Sequence, residues 1–184
     1  MFSQLLEQIA LGLEERQIPY MIIGGQAVLI YGEPRLTRDI DVTLGVGPDR
    51  LADLLALAQS HSWRVLVEHP EEFVQRTMVL PLEDSQSSIR IDFILSFSPY
   101  ERQALERVHR VGIGKGTVRF AAPDDVIVHK ILAGRPRDLE DVRNILLKRA
   151  NLDRAYIRHW LADFDRSLGG TYLQAFEDLA QSLP

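Results

Sequence analysis

Phe2, Leu5, Leu6, Ile9, Ala10 and Leu13 recur at the interval of one helix face, and Pro19 stands just beyond them. The chain therefore opens with a helix over about residues 2–16. YMIIGG (20–25) is a short apolar strand stopped by Gly24 and Gly25, and QAVLIYG (26–32) reads as a helix closed by Gly32. RDIDVTLGV (38–46) changes period, with acids alternating with Ile40, Val42 and Leu44 as in a half-buried strand. PDRLADLLALAQSHSW (48–63) returns to helical spacing, with Pro48 and Asp49 as start signals. RVLVE (64–68) and RTMVLPLE (76–83) read as strands, and EDSQSS (83–88) reads as a hairpin turn. IRIDFILSF (89–97) is a strand with Ile89, Ile91, Phe93 and Leu95 on one face and Arg90, Asp92 and Ile94 on the other. PYERQALERV (99–108) reads as a short helix, and VGIGKGTVRFA (111–121) as a glycine-broken hairpin or edge strand.

From Pro123 onward the pattern is helical: PDDVIVHKILAG, RDLEDVRNILLKRA, DRAYIRHWLADFDRSLGG and TYLQAFEDLAQSL follow one another. The expected class is α+β, close to α/β in character. A mixed sheet flanked by helices fills residues 1–120, and a helical C-terminal subdomain over 121–184 packs on it.

Composition narrows the chemistry. The 184 residues are 46% hydrophobic, enough to bury a sizeable interior. A net charge of −5 argues against a general nucleic-acid coat or a polybasic membrane patch, while leaving room for a local basic surface. No cysteine is present, so disulfides and thiolate metal sites are ruled out. The first residues lack a basic n-region, and no apolar run approaches the roughly 20 residues of a membrane span. A cytoplasmic protein without membrane association is expected.

Asp39 and Asp41 then stand out. Separated by one residue on a strand, they project from the same side while Ile40 and Val42 face the core. At about 4 Å and an effective dielectric near 20, two such charges repel by on the order of 4 kcal/mol, so something positive is expected between them. Asp92, on a second strand, supplies a third carboxylate. Three hard oxygen ligands suit Mg²⁺, which completes its shell with water and substrate phosphates. Gly24 and Gly25 end a strand and open a helix, where backbone N–H groups and the positive helix end can meet phosphate oxygens. Taken singly, a Gly-Gly turn is ordinary turn chemistry and acids at a strand end are often only solvated.

In this order and spacing, Gly24-Gly25, Asp39-Ile40-Asp41 and the later Asp92 of "IDF" resemble the signature of the nucleotidyltransferase superfamily related to DNA polymerase beta. GGQAVLIYGEPRLTRDIDV followed by HKILAGRPRDLEDV is more particularly similar to minimal nucleotidyltransferases of the AbiEii toxin type, over roughly residues 20–145. The resemblance implies Mg²⁺-dependent transfer, with two ions, of a nucleoside monophosphate from a nucleoside triphosphate (NTP). It implies tRNA or another macromolecule as acceptor in toxin members, with an antitoxin as partner. By it, Asp39, Asp41 and Asp92 hold metal and carry the chemistry, with Asp92 receiving or orienting the acceptor proton. Gln26 departs from the Ser that many members place after the two glycines.

Around these acids the resemblance draws a nucleotide-binding set of Gly24, Gly25, Gln26, Arg35, Thr37, Arg38, Lys130 and Arg137. Arg35 and Arg38 flank Thr37, where they either contact phosphate or neutralise the acids. Lys130, followed by Arg137-Asp138, is the first candidate for gripping the triphosphate. Asp138 and Asp141 share a helix face, and either orient Lys130 or Arg137 or complement the helix dipole. The five histidines show no metal-ligand spacing, and VGIGKG lacks the P-loop pattern. Two function classes stay open: an enzyme acting on tRNA, protein or a small molecule such as an aminoglycoside, and a non-catalytic nucleotide-sensing or partner-binding module.

Overall fold

The first element forms as its apolar spacing requires. Helix α1 (Phe2–Glu15) buries Leu5, Leu6, Ile9, Ala10 and Leu13 along one side. It ends where Gln17 takes a positive φ, letting the Ile18 N–H return to the Leu13 carbonyl at 2.9 Å. The structure, a computed structural model, describes residues 2–33 and 36–183. Arg35, one of the sequence-predicted phosphate contacts, lies outside the described residues.

Strand β1 (Tyr20–Ile22) is fully buried and leads into α2 (Gly24–Tyr31). Strand β2 (Asp39–Leu44) keeps the two-residue period: Ile40, Val42 and Leu44 are completely buried while Asp39 and Asp41 stay half-exposed. A short 3-10 turn at Pro48–Arg50 feeds α3 (Leu51–Ser60), and β3 (Trp63–Val65) follows. Between β3 and β4 (Val79–Asp84) the structure departs from the sequence reading. Residues 70–77, partly assigned to a strand, form helix α4 (Pro70–Thr77). Pro70 occupies the first turn, Glu71 and Glu72 complement the positive helix end, and Val74 alone is buried. Met78, in the left-handed conformation, closes that helix and starts β4.

Strand β5 (Arg90–Leu95) alternates as expected, with Ile91, Phe93 and Leu95 inside and Arg90, Asp92 and Ile94 on the opposite face. Helix α5 (Pro99–Glu106) is capped by the Ser98 hydroxyl, and β6 (His109–Ile113) and β7 (Gly116–Phe120) make the glycine-turned hairpin. The seven strands form one mixed sheet in the order β3-β4-β5-β2-β1-β7-β6. β2 runs parallel to β5 and antiparallel to β1, which in turn runs parallel to β7.

Helices α6 (Pro123–Ala133), α7 (Pro136–Lys148), α8 (Arg154–Leu168) and α9 (Tyr172–Gln181) complete the described chain. α6 is buried along most of its length and packs against α2, α7, α8 and α9. A polar knot ties its first turn to α8. Arg107 donates to Asp124 at 2.8 Å, Asp124 accepts the Asp153 N–H at 2.8 Å, and the Tyr156 hydroxyl donates to Asp125 at 2.6 Å. The Arg107 guanidinium stacks 3.9 Å from the centre of the Tyr156 ring. Burial pushes Asp125 up to about 6, against the hydrogen bonds from Tyr156 and Tyr100 and the charge of Arg107.

Phe176 is the one fully buried side chain that α9 contributes. Phe176→Ala is therefore expected to cost about 3–5 kcal/mol. For a chain of this size that is a fall of roughly 10 °C in melting temperature, read by circular dichroism. A change under about 2 °C would mean that α9 docks by other contacts.

Candidate active site

The site is assembled where β1 gives way to α2. The Ile23 N–H donates to the Asp41 carbonyl at 2.9 Å, which pins the end of β1 to the middle of β2. Gly24 then turns with φ +62°, and a Cβ placed there would lie 2.0 Å from Asp41 Oδ2. Two constraints thus demand glycine: the left-handed backbone, and the carboxylate packed against the first turn of α2. The N–H groups of that turn lack partners within the helix and point the positive end of its dipole toward the acid.

A cleft of about 490 Å³ opens over these residues. α2 contributes Gly24 and Gly25, and β2 contributes Asp39 and Asp41. The segment before β2 adds Leu36, Thr37 and Arg38, and the α6–α7 corner adds Lys130, Arg135, Arg137 and Asp138. The cleft is thus acidic at β2 and basic at the helices that face it.

Asp92 is the register partner of Asp41 in the parallel β2–β5 ladder, so the two leave the sheet on the same face. Its carboxylate is held by Arg90, whose Nε donates to both oxygens at 2.9 Å, and it does not line the cleft. Its charge is still felt. Burial, then the negative charges of Asp39 and Asp92, push Asp41 up to about 6, while Lys130 and Arg135 pull it down. Among the described residues no three His, Cys, Asp or Glu side chains are gathered closely enough to hold a metal ion as they stand.

Lys130 is buried, with its ammonium 2.5 Å from Asp138 and 3.0 Å from Asp141. The other Asp138 oxygen accepts from Arg135 Nε at 2.7 Å. Burial opposes ionisation of Asp138, but the hydrogen bonds from Lys130 and Arg135 outweigh it and leave its carboxyl below the ordinary value. Of the two readings open for Asp138 and Asp141, orienting Lys130 is the one this geometry embodies. Gly134, with φ +63°, reverses the chain between α6 and α7 and so folds Arg135 and Asp138 back over Lys130.

Gln26 stands apart from the other sequence-predicted contacts. It is buried, and its amide donates to the Thr37 hydroxyl at 2.7 Å, so it braces the segment before β2 and does not line the cleft. Arg137 makes a comparable tether, donating to the Leu36 carbonyl at 3.3 Å from a position on the cleft wall. Arg38 lines the cleft from an exposed position. Arg135 was not singled out from sequence. The only signal for it was its place in GRPRD, directly after the glycine that ends α6 and three residues before Asp138.

The class of protein is shown by a family profile that covers most of the chain: it is a nucleotidyltransferase. The chain belongs to the family described as nucleotidyltransferase of unknown function (DUF6036), whose profile matches residues 1–168. No curated protein sequence matches significantly. Among solved structures, the solution structure of the antibiotic-resistance factor ANT(2'')-Ia superposes with a TM-score of 0.63 at 17% identity, covering 91% of this chain and 92% of that one. A crystal structure of ANT(2'')-Ia in complex with adenylyl-2''-tobramycin gives a TM-score of 0.61 at 19% identity, over 91% and 98%. An antigenic nucleotidyltransferase-like protein from Paracoccidioides brasiliensis gives 0.60 at 15% identity, over 94% and 92%. At these identities the likeness is one of fold.

Two expected outcomes test this geometry. Gly24→Ala must strain the backbone and displace Asp41. A loss of at least about 1–3 kcal/mol is expected in urea unfolding; an unchanged midpoint would refute the close packing. Asp41→Asn acts in the opposite direction. Because the folded value is raised to about 6 from an ordinary 3.8, the ionised carboxylate destabilises the fold above pH 6. That cost fades as pH falls through this window and is gone below 3.8, where both states are protonated. The variant should gain on the order of 1–3 kcal/mol at pH 7.5 and almost nothing at pH 3.5, read by melting temperature. A lower melting temperature at pH 7.5 would make Asp41 a structural residue.

Proposed function

We propose that the protein transfers a nucleoside monophosphate from an NTP to an acceptor hydroxyl, with divalent metal bound at the β2 acids. One observation carries the reading: Asp39 and Asp41 share a face of β2 against the glycine-opened start of α2, in a cleft whose far wall is cationic. The acids come from the part of the chain before residue 120, and Lys130, Arg135 and Arg137 from the helices after it. This supports a catalytic core over 1–120 whose cleft is closed by the helical part over 121–184.

Asp39 and Asp41 offer hard carboxylate oxygens of the kind Mg²⁺ takes. Asp41 is pushed upward by burial first and then by the charges of Asp39 and Asp92, a crowding of negative charge that a divalent cation would relieve. Asp39 and Asp41 would hold the ions, two by the family resemblance, and Asp92 would join them once its carboxylate turns from Arg90. When bound, the ions neutralise charge on the phosphates and favour the alkoxide form of the acceptor. The first turn of α2 receives the phosphate oxygens through backbone N–H groups, with no side chain at Gly24 or Gly25 to block them. Lys130, held by Asp138 and Asp141, presents a fixed positive charge to the triphosphate, and Arg38, Arg135 and Arg137 extend it. The acceptor oxygen bonds to the α-phosphorus, the bond from that phosphorus to the bridging oxygen breaks, and pyrophosphate leaves. The acceptor proton passes to the Asp92 carboxylate. Use of an NTP as donor supports a cytoplasmic location.

The ANT(2'')-Ia structures support a small-molecule acceptor. The AbiEii-like segments support the toxin variant, with a macromolecular acceptor and an antitoxin. A second reading, a nucleotide-sensing or partner-binding module without catalysis, is favoured by the Arg90–Asp92 pair and by Gln26 being turned to Thr37.

Purified protein incubated with Mg²⁺, each labelled NTP, and cellular RNA, protein or small-molecule extract should transfer label to one fraction. Asp39→Ala should lose that transfer by at least a hundredfold. Label on tRNA or protein would favour the toxin variant. No transfer with any NTP, together with no NTP binding by calorimetry, would overturn the enzyme reading.

A further inference from the structure

A second cavity, of about 170 Å³, adjoins the main cleft and shares Gly24, Asp41, Lys130, Arg135 and Asp138 with it. Its position follows from the strand register. The main cleft reaches from Asp41 back to Asp39, whereas the second cavity reaches the other way, to Ile94, the register partner of Thr43. The two spaces therefore extend along β2 to opposite sides of Asp41. On the helix side, Val126, His129, Lys130 and Ala133 fall at i, i+3, i+4 and i+7, a single stripe of α6. Lys130 is the member of that stripe already assigned to the triphosphate.

The walls differ from those of the main cleft. Ile23, Ile94, Val126 and Ala133 are apolar, and Ile94 is an aliphatic side chain left half-exposed on the same strand face as Asp92. His129 adds a ring whose Nε2 finds no hydrogen-bond partner in the protein. Burial lowers this imidazole to about 4, so it is neutral at physiological pH. The charged groups of the wall balance among the described residues, Asp41 and Asp138 against Lys130 and Arg135.

We infer that this second cavity is the acceptor subsite, and that it takes the hydroxyl-bearing end of a compact, uncharged ring alcohol or phenol. The inference rests on the nucleotidyltransfer reading above and adds the acceptor's place and chemistry to it. In-line displacement needs donor and acceptor on opposite sides of the phosphorus. With the triphosphate along α2 and the Arg38–Arg137 side, the free approach to Asp41 is from Ile94 and α6. At about 170 Å³ the cavity has room for one ring, and the rest of a larger acceptor would extend into the adjoining cleft or solvent. Charge limits it further, because a polycation finds no net negative wall here, while an apolar ring finds four aliphatic side chains. In the transfer step the ring's oxygen bonds to the α-phosphorus, pyrophosphate departs, and the hydroxyl proton goes to Asp92, which does not line the cavity but stands two residues from Ile94 on the same strand face, once its carboxylate turns from Arg90. His129 is placed as a specificity residue beside the ring.

The test uses the full chain, Mg²⁺ and a non-transferable α,β-methylene ATP analogue. Cyclohexanol, phenol and the polycation tobramycin are titrated in turn while the His129 ring signal, assigned by its loss in His129→Gln, is followed by NMR. Cyclohexanol and phenol should shift that signal, and tobramycin should not. Ala133→Trp places a large ring at an exposed position on the cavity rim. It should abolish the shift and lower transfer of labelled AMP from ATP to phenol at least tenfold. Analogue affinity should stay within twofold and the melting temperature within about 2 °C. Leu147→Trp, exposed and lining neither cavity, is the control and should leave all four readouts unchanged. If the analogue binds and transfer to tobramycin or tRNA proceeds equally in wild type and Ala133→Trp, the subsite is overturned while nucleotidyltransfer stands. If the analogue does not bind and no acceptor is labelled, both fall together.

Discussion

The carboxylate of Asp41 is pressed against the first turn of α2, and most of the site is a consequence of that contact. It requires glycine at 24, it requires β1 to be tied to the middle of β2 through Ile23, and it holds a charge where burial and two neighbouring acids oppose it. A fold gains nothing from such an arrangement by itself, since a half-buried carboxylate among like charges lowers stability. The sheet tolerates it because the opposite faces of β2 and β5 bury Ile40, Val42, Leu44, Ile91, Phe93 and Leu95 completely or nearly so. Strained electrostatics on one face are carried by hydrophobic burial on the other.

The opposing charge comes from a different part of the chain. Lys130 is buried but paired with Asp138 and Asp141, so its ammonium is fixed in place. α6 thereby serves two purposes. Its first turn anchors α8 through Asp124 and Asp125, and its last turns present Lys130 and, after Gly134, Arg135 to the acids of the sheet. A shift of α6 would move the cationic wall and the smaller cavity together, because both are lined by residues of the same short helix.

Much of this was legible in the sequence, for reasons that are local. Alternation along 39–44 and 90–95 depends only on strand geometry, so the faces of Asp39, Asp41 and Asp92 could be read without knowing which strands pair. The helices from 123 onward were equally plain, bounded as they are by Pro123, Gly134, Pro136 and Gly169. Helix α4 was not, because a single buried residue, Val74, gives no apolar stripe, and the signals that start it are a proline and two glutamates. Arg135 was missed for a related reason: an exposed arginine in a tight corner has no periodicity to betray it.

By itself the sequence determined which side chains share a face, where the helices after residue 123 start and stop, and that acids and glycines resembling those of a nucleotidyltransferase stand in order. Only the tertiary structure decided their partners. β2 lies beside β5 in a register that sets Asp92 level with Asp41, Arg90 claims the Asp92 carboxylate, and Gln26 turns away to Thr37. Lys130 meets Asp138 and Asp141 across a helix corner, and a stripe of α6 walls a second cavity beside the acids. The physical reason is range. Strand and helix periods are set by neighbouring residues along the chain, whereas charge pairing and cavity shape depend on groups brought together from distant segments.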